Sequence, residues 1–336
     1  MARNLDERLM RRAVQLSRRG LPAPNPHVGC VIARGGDIVG EGYHAFAGGP
    51  HAERVALQKA GKNARGADVF VTLEPCSHHG RTPPCTDALI AAGVSRVVYA
   101  VADPNPKAAG GAEVLRAAGI AVDGGLLSAE AEEANERFLT AMRRGRPYVV
   151  LKAAIGLDGR IALPDGSSQW ITGPEARLAA HRLRAEMGCV LVGAGTVLHD
   201  NPQLTVRGVR VRHQPLRVVL DGDAVLTGSE RVFSDGGETR WIRSQVNLAG
   251  VLHLLMEEGM TGVLVEGGSG VLSAFLQSGL YDAVELFVAP RILGEGLAWA
   301  NATLPNALRE TPTLQVQKVR RRGADLQISL KNTCPA

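Results

Sequence analysis

The residues best equipped for chemistry are His51-Ala-Glu53, Pro75-Cys76 and Cys85. An imidazole and two thiolates form a donor set suited to zinc, and three protein ligands leave a fourth position for water. A metal so placed lowers the pKa of bound water toward ~7, and a nearby carboxylate can then take and return protons. Glu53 stands two residues beyond His51, where it can reach that water without ligating. The alternative is a closed site with His44, His78 or His79 as fourth ligand, which would be inert and would give Glu53 no task.

Nucleobase deaminases that use zinc combine His-x-Glu with Pro-Cys-x-x-Cys. In this chain the cysteines are farther apart, separated by Ser-His-His-Gly-Arg-Thr-Pro-Pro. A loop stiffened by Pro83-Pro84 can still return the second thiolate to the ion.

These residues need a scaffold, and the pattern around them describes one. Apolar spacing predicts a helix over residues 5–19, stopped by Gly20 to Pro26. Alternating strands at 28–33 and 38–43 flank Gly35-Gly36-Asp37, a hairpin signal. A helix from Pro50 to Ala60, closed by Gly61, would carry His51 and Glu53 in its first turn. Strand 69–73, helix 87–92, strand 96–101, helix 113–118 and strand 120–122 continue a layered α/β pattern. One helix is expected over Ser128–Met142 with Ser128 at its cap, before the stop Arg143-Arg144-Gly145-Arg146-Pro147.

That stop divides the chain into expected domains 1–146 and 147–336. The second repeats the α/β theme with strands 148–155, 189–192, 217–220, 263–265 and 284–288. Helices fall at 175–187, 248–258 and 271–277, and a terminal hairpin at 314–319 and 326–330.

Composition narrows the function. The chain has 336 residues, 45% hydrophobic and 21% charged, as in a globular enzyme of two cores. Aromatic residues are only 4%, too few for a base-stacking surface. The net charge of +5 favours anionic partners, but the cations form no long run, so a phosphorylated small molecule is expected, with no nucleic acid. The charged amino terminus and the lack of a long apolar segment predict a cytoplasmic protein without a membrane partner. Cys30, Cys189 and Cys334 are read as plain thiols.

The string Leu73-Glu-Pro-Cys-Ser-His-His-Gly-Arg-Thr-Pro-Pro-Cys85 resembles the bifunctional deaminase/reductase family of bacterial riboflavin biosynthesis. So do Pro24-Asn25-Pro26, Gly40-Glu-Gly-Tyr-His44 and Asp103-Pro-Asn105-Pro. The resemblance continues through Leu157-Asp-Gly-Arg160, Ser168-Gln-Trp170, Gly195 to Arg207, Val265-Glu266-Gly-Gly and Ala289 to Gly294. It implies a cytidine-deaminase-like α/β/α domain followed by a dihydrofolate-reductase-like α/β domain. The first would deaminate 2,5-diamino-6-ribosylamino-4(3H)-pyrimidinone 5′-phosphate with zinc. The second would reduce the ribosyl group to ribityl with NADPH. By position, Asn25, His44, Arg81, Asp103 and Asn105 are implied as deaminase substrate contacts.

In the second domain, hydride transfer to C1′ of a ring-opened sugar needs a charge near the ring oxygen and a fixed nicotinamide. Lys152 and Glu266 are the candidates, although alone they read as a snorkelling strand-end residue and a helix-capping carboxylate. Gly267, Gly268, Ser269 and Gly270 before a helix could cradle a diphosphate. Arg184 and Arg207 suit a substrate phosphate. The resemblance places Ala154, Trp170, Thr196, Asp200 and Gly222 beside the cofactor, and Ser168 and Leu204 beside the substrate together with Glu266. Where the family often has Ser, this chain has Gly222, which leaves NADPH over NADH open. A homo-oligomer is compatible with the sequence. The competing reading is an RNA-base deaminase carrying a non-catalytic scaffold domain, which would need a basic groove.

Overall fold

The structure is a computed structural model that describes residues 2–78, 83–234, 236–244, 247–303, 309 and 311–334. Two compact units divide the chain, Met1–Arg144 and Gly145–Ala336.

The first unit opens with α1 (Ala2–Ser17) and the hairpin β1 (Gly29–Arg34) and β2 (Asp37–Tyr43). Then follow α2 (Ala52–Ala60), β3 (Asp68–Leu73), α3 (Cys85–Ala92), β4 (Arg96–Val101), α4 (Gly111–Ala117) and β5 (Ala121–Gly124). The helices α5 (Ser128–Ala134) and α6 (Glu136–Arg144) close the unit. Among the described residues the sheet has the order β2-β1-β3-β4-β5, antiparallel on the hairpin side and parallel from β3 onward. β1 and β3 are almost wholly buried runs, as befits strands covered on both faces. Phe70, Ile32, Met10, Leu89 and Leu115 are fully buried in this core, each stabilising by roughly 1.5–3 kcal/mol.

Glycine sets how closely α2 approaches the sheet. A Cβ on Gly42 would overlap the Ala52 carbonyl, and one on Gly40 the Ala56 carbonyl, so the helix rests directly on β2. The single helix expected over Ser128–Met142 is two helices, broken at Asn135, whose φ is −125°. Its buried side chain accepts a hydrogen bond from the His27 backbone N–H at 2.9 Å. Long-range tethering thus overrides helix propensity there. Ser128 is the first helical residue and not the cap, a place taken by Leu127.

The second unit runs β6 (Tyr148–Ile155), β7 (Arg160–Ala162), α7 (Pro174–Met187), β8 (Cys189–Gly193), α8 (Ala194–Asp200) and β9 (Leu216–Leu220). It continues with α9 (Arg231–Ser234), β10 (Thr239–Ile242), α10 (Leu248–Glu257), β11 (Gly262–Val265), α11 (Ser269–Ser278) and β12 (Ala283–Val288). Last come β13 (Leu297–Ala298), β14 (Leu314–Arg322) and β15 (Asp325–Asn332). The main sheet has the order β10-β9-β8-β11-β6-β12-β15-β14, parallel as far as β12. The terminal hairpin then joins β12 antiparallel. The α/β class expected for both halves is the class observed. The short elements β7, α8, α9, β10 and β13 carry too little periodicity to be read from sequence.

A buried ion pair anchors the start of β6. Asp282, 2% exposed, accepts two bonds from Arg146 at 2.8 and 3.1 Å and a third from the Val149 N–H at 2.8 Å. Removing one partner would strand a buried charge. Asp282→Ala should therefore destabilise the second unit by about 3–5 kcal/mol in urea unfolding, and a loss below 1 kcal/mol would contradict this account.

Candidate functional site

In the first unit, β3 ends at Leu73 and delivers Glu74, Pro75 and Cys76, while α2 delivers His51 at its cap and Glu53 in its first turn. The Cys85 N–H donates to the Cys76 carbonyl at 3.1 Å, and the Thr86 N–H to the same oxygen at 3.3 Å. These bonds bring the start of α3 beside the end of β3. Nδ1 of His51 lies 3.6 Å from Cys76 Sγ and 3.3 Å from Cys85 Sγ. All three donor atoms fall within 4.8 Å of one another.

Two soft sulfurs and one imidazole nitrogen at this spacing fit a single zinc ion. The Cys76 thiol is lowered to about 4, chiefly by a hydrogen bond from Cys85, whose own pKa is raised well above the ordinary thiol value. Cys76 thus already favours the thiolate, the form a metal takes. Glu53 is 3% exposed and its carboxyl is raised by burial.

His44 packs edge-on to His51 with ring centroids 5.4 Å apart. Asn25 Nδ2 donates to its Nε2 at 3.0 Å, so its Nδ1 donates to the Pro50 carbonyl at 3.1 Å. Burial lowers its pKa and favours this neutral ring. With both nitrogens engaged, His44 is not a fourth ligand. Among the described residues the metal cluster comprises His51, Cys76 and Cys85; His78 is exposed. His79 and Arg81 lie outside the described residues.

Asp103 and Asn105 share the loop before α4. The Asn105 N–H donates to Asp103 Oδ1 at 2.9 Å, and burial raises Asp103 to about 6. The loop hangs on Glu74, a residue the sequence reading passed over. Its buried carboxylate accepts from the Ala112 N–H at 2.9 Å and the Asp103 N–H at 3.3 Å. Only its place within Leu73-Glu-Pro-Cys could have singled it out.

The second unit holds a cleft of about 1400 Å³. Its walls include Lys152, Ala154, Ser168, Trp170, Arg184, Thr196, Asp200, Leu204, Arg207, Glu266 and Gly267 to Gly270. Parallel pairing of Val265 with Leu151 sets the next residues, Glu266 and Lys152, side by side. Lys152 Nζ donates to Glu266 Oε2 at 3.2 Å. Arg184 forks onto the same carboxylate, Nε to Oε1 at 2.6 Å and Nη2 to Oε2 at 3.0 Å, while Nη1 donates to the Thr205 carbonyl at 2.9 Å. Arg184, expected at a substrate phosphate, therefore faces a carboxylate of the protein itself. Burial would raise the Glu266 carboxyl, but Arg184 and Lys152 outweigh it and hold the group well below the usual range.

α11 begins at this cleft with Gly268 as its cap, and the Gly268 N–H donates to Thr196 Oγ1 at 2.9 Å. A Cβ on Gly195 or Gly270 would meet nothing within 4 Å, so the backbone there is open to a ligand. Space, helix terminus and exposed glycines fit a dinucleotide diphosphate. Ser168 donates to Asp200 at 3.2 Å, and Arg177 stacks on Trp170 at 4.7 Å. Gly222 is not among the cleft residues; it is exposed in the turn after β9. The adjoining Asp221 carboxylate accepts from Val225, Leu226 and Trp241 and fixes that turn.

A family model for the cytidine and deoxycytidylate deaminase zinc-binding region matches residues 3–101, and one for the RibD C-terminal domain matches 147–328. The riboflavin biosynthesis protein RibD of Aquifex aeolicus is 43% identical, covering 98% of this chain and 99% of its own. The chain belongs to the RibD family. The Escherichia coli RibD is 42% identical over 97% of this chain and 99% of its own. An Acinetobacter baumannii RibD structure superposes with a TM-score of 0.91 at 39% identity, covering 99% of this chain and all of that one. A Thermotoga maritima structure described as diaminohydroxyphosphoribosylaminopyrimidine deaminase/5-amino-6-(5-phosphoribosylamino)uracil reductase does so with 0.87 at 38%, covering 99% and 100%. As a RibD family member the chain is a bifunctional enzyme of riboflavin biosynthesis, a deaminase and a reductase, whose cofactors are zinc and NADPH.

His181 is a cleft residue that the sequence reading missed. Its Nδ1 accepts from the Arg207 N–H at 3.2 Å and lies 3.1 Å from the Thr205 carbonyl. Burial, then Arg184 and Arg207, lower it from 6.5 to about 4. Between those values the unfolded chain binds the extra proton, so this contribution to stability is present above pH 6.5 and is lost as pH falls toward 4. Removing the ring should accordingly shift stability less in acid. His181→Gln should lower the melting temperature of the second unit by less at pH 5 than at pH 7, and an equal or larger drop at pH 5 would exclude the depressed pKa.

Proposed function

We propose that residues 1–146 deaminate 2,5-diamino-6-ribosylamino-4(3H)-pyrimidinone 5′-phosphate and that residues 147–336 reduce the resulting ribosylamino compound to its ribityl form, in the cytoplasm and without nucleic acid. The observation that carries this reading is the convergence of His51, Cys76 and Cys85 within 4.8 Å, beside the buried carboxyl of Glu53. No inert closed site requires that carboxyl.

His51, Cys76 and Cys85 would hold the zinc, which supplies the Lewis acidity that activates water at neutral pH. Glu53 moves one proton of the attacking water to the adjacent ring nitrogen and the second, from the hydroxyl so formed, to the departing amino nitrogen; a carbonyl remains on the ring and ammonia leaves. Asn25, His44, Asp103 and Asn105 orient the pyrimidine, with Arg81 as a further contact. Neutral His44, locked between Asn25 and Pro50, presents a fixed wall.

In the second unit Gly267, Gly268, Ser269 and Gly270 hold the diphosphate of NADPH, which supplies the hydride. Ala154, Trp170, Thr196 and Asp200 line the cofactor side, and Ser168, Leu204, Arg184 and Arg207 the substrate side. Lys152 polarises the ring oxygen as the sugar opens, and Glu266 holds Lys152 in place. Gly222, in the exposed turn after β9, is assigned to the cofactor side as well.

Glu53→Gln should retain one zinc per chain by metal analysis and lose ammonia release by at least about 100-fold, since an amide fills the same space but cannot take up and pass on a proton. Near-normal ammonia release would remove Glu53 from the mechanism.

Separate sites also predict separable activities. Cys76→Ser should abolish deamination yet oxidise NADPH normally when given the deaminated substrate. Lys152→Ala should do the reverse, with cofactor affinity little changed, because an interaction made in the transition state lowers turnover more than binding. A folded Cys76→Ser protein lacking both activities would contradict the two-site assignment.

A further inference from the structure

Arg54 occupies the first turn of α2, next to Glu53 and three residues after the ligand His51. A cation there opposes the helix dipole, whose positive end favours anions such as Glu53. Its location is accounted for by what it touches. Nη2 donates to the Pro83 carbonyl at 3.0 Å and to the Pro84 carbonyl at 3.1 Å. Pro84 is the N-cap of α3, and Cys85 is the first residue of that helix.

The second thiolate is thus fixed from two sides. On one, the Cys85 N–H donates to the Cys76 carbonyl and sulfur, at 3.1 and 3.4 Å. On the other, the Arg54 guanidinium holds the two carbonyls that lead into Cys85. Proline carries no N–H, so this dipeptide cannot be tied down through its own donors, and a charged donor to its carbonyls is a strong substitute. Eight residues separate the cysteines here, against two in the short motif, so the return of the chain to the ion needs an external support.

We propose that Arg54 is a positioning residue that fixes Cys85 for zinc through the Pro83–Pro84 carbonyls. It acts on Cys85 through the two proline carbonyls, and its effect falls on how long the ion is retained. The inference rests on the zinc reading of the His51, Cys76 and Cys85 cluster. Groups that orient metal ligands typically change metal affinity by about 10–100-fold when removed.

The test uses the full-length zinc-loaded protein and follows zinc transfer to excess chelator with a metal-sensitive dye. Arg54→Ala should release zinc at least about tenfold faster than the parent. Arg54→Lys, which restores a charged donor without the planar fork, should recover part of the difference. NADPH-dependent reduction of the deaminated substrate should be unchanged in both, and so should the melting temperature of the metal-stripped protein, which a purely structural role would lower. Should Arg54→Ala be insoluble, Arg54→Met keeps the aliphatic stem and carries the same expectation. Equal release rates in parent and variant would overturn the role of Arg54 while leaving the zinc site intact. A parent that retains no zinc would overturn the zinc reading itself.

Discussion

A carboxylate taken out of water must either be paired or take up a proton, and each unit of this protein is organised around one such group. The two resolve the problem in opposite directions. Glu266 sits at the carboxyl end of β11 with a lysine on the neighbouring strand and an arginine on α7, and it stays ionised. Glu53 sits in the first turn of α2 beside two sulfurs, and burial raises it toward the neutral form. A proton carrier requires the second environment, and a fixed negative anchor for a cation requires the first.

Each arrangement dictates local backbone. For Glu53, α2 must lie flat on the hairpin, which the bare backbones of Gly40 and Gly42 permit. For Glu266, neighbouring parallel strands must be in register at their ends, so that two consecutive positions across the sheet bring opposite charges together. The carboxyl ends of parallel strands are the usual place for ligands in open α/β sheets, and the cleft follows that rule. The loop from Asn201 to Arg207 completes the wall, with Leu204 held at a φ of 56° while Arg184 grips the adjacent Thr205 carbonyl. One guanidinium thus serves both the charge and the loop.

Much of this was legible in the residue pattern, for identifiable reasons. The zinc ligands announce themselves because few residue types bind the ion, and the strands because burial on both faces leaves continuous apolar runs such as Val69 to Val71. Paired roles were harder to see. For Arg184 the sequence shows a cation without its protein partner, because Glu266 is 82 residues away. Asn135 broke an expected helix for a similar reason, its partner His27 being 108 residues distant. Glu74, Arg54 and His181 act through backbone groups, which every residue has and no motif marks.

The strand order of the second unit has a consequence for the order of synthesis. β6 is made first but lies between β11 and β12, which follow only at Gly262 and Ala283, and the sheet continues into β15 near residue 325. At roughly 5–20 residues per second, a nascent chain on the ribosome would carry the apolar β6 without neighbours for several seconds or more. The first unit places all its strands by residue 124, so its metal pocket can assemble while the reductase half is still being translated. Shielding of β6 during that interval, by chaperones or by the pace of translation, therefore becomes a determinant of yield that the finished fold conceals.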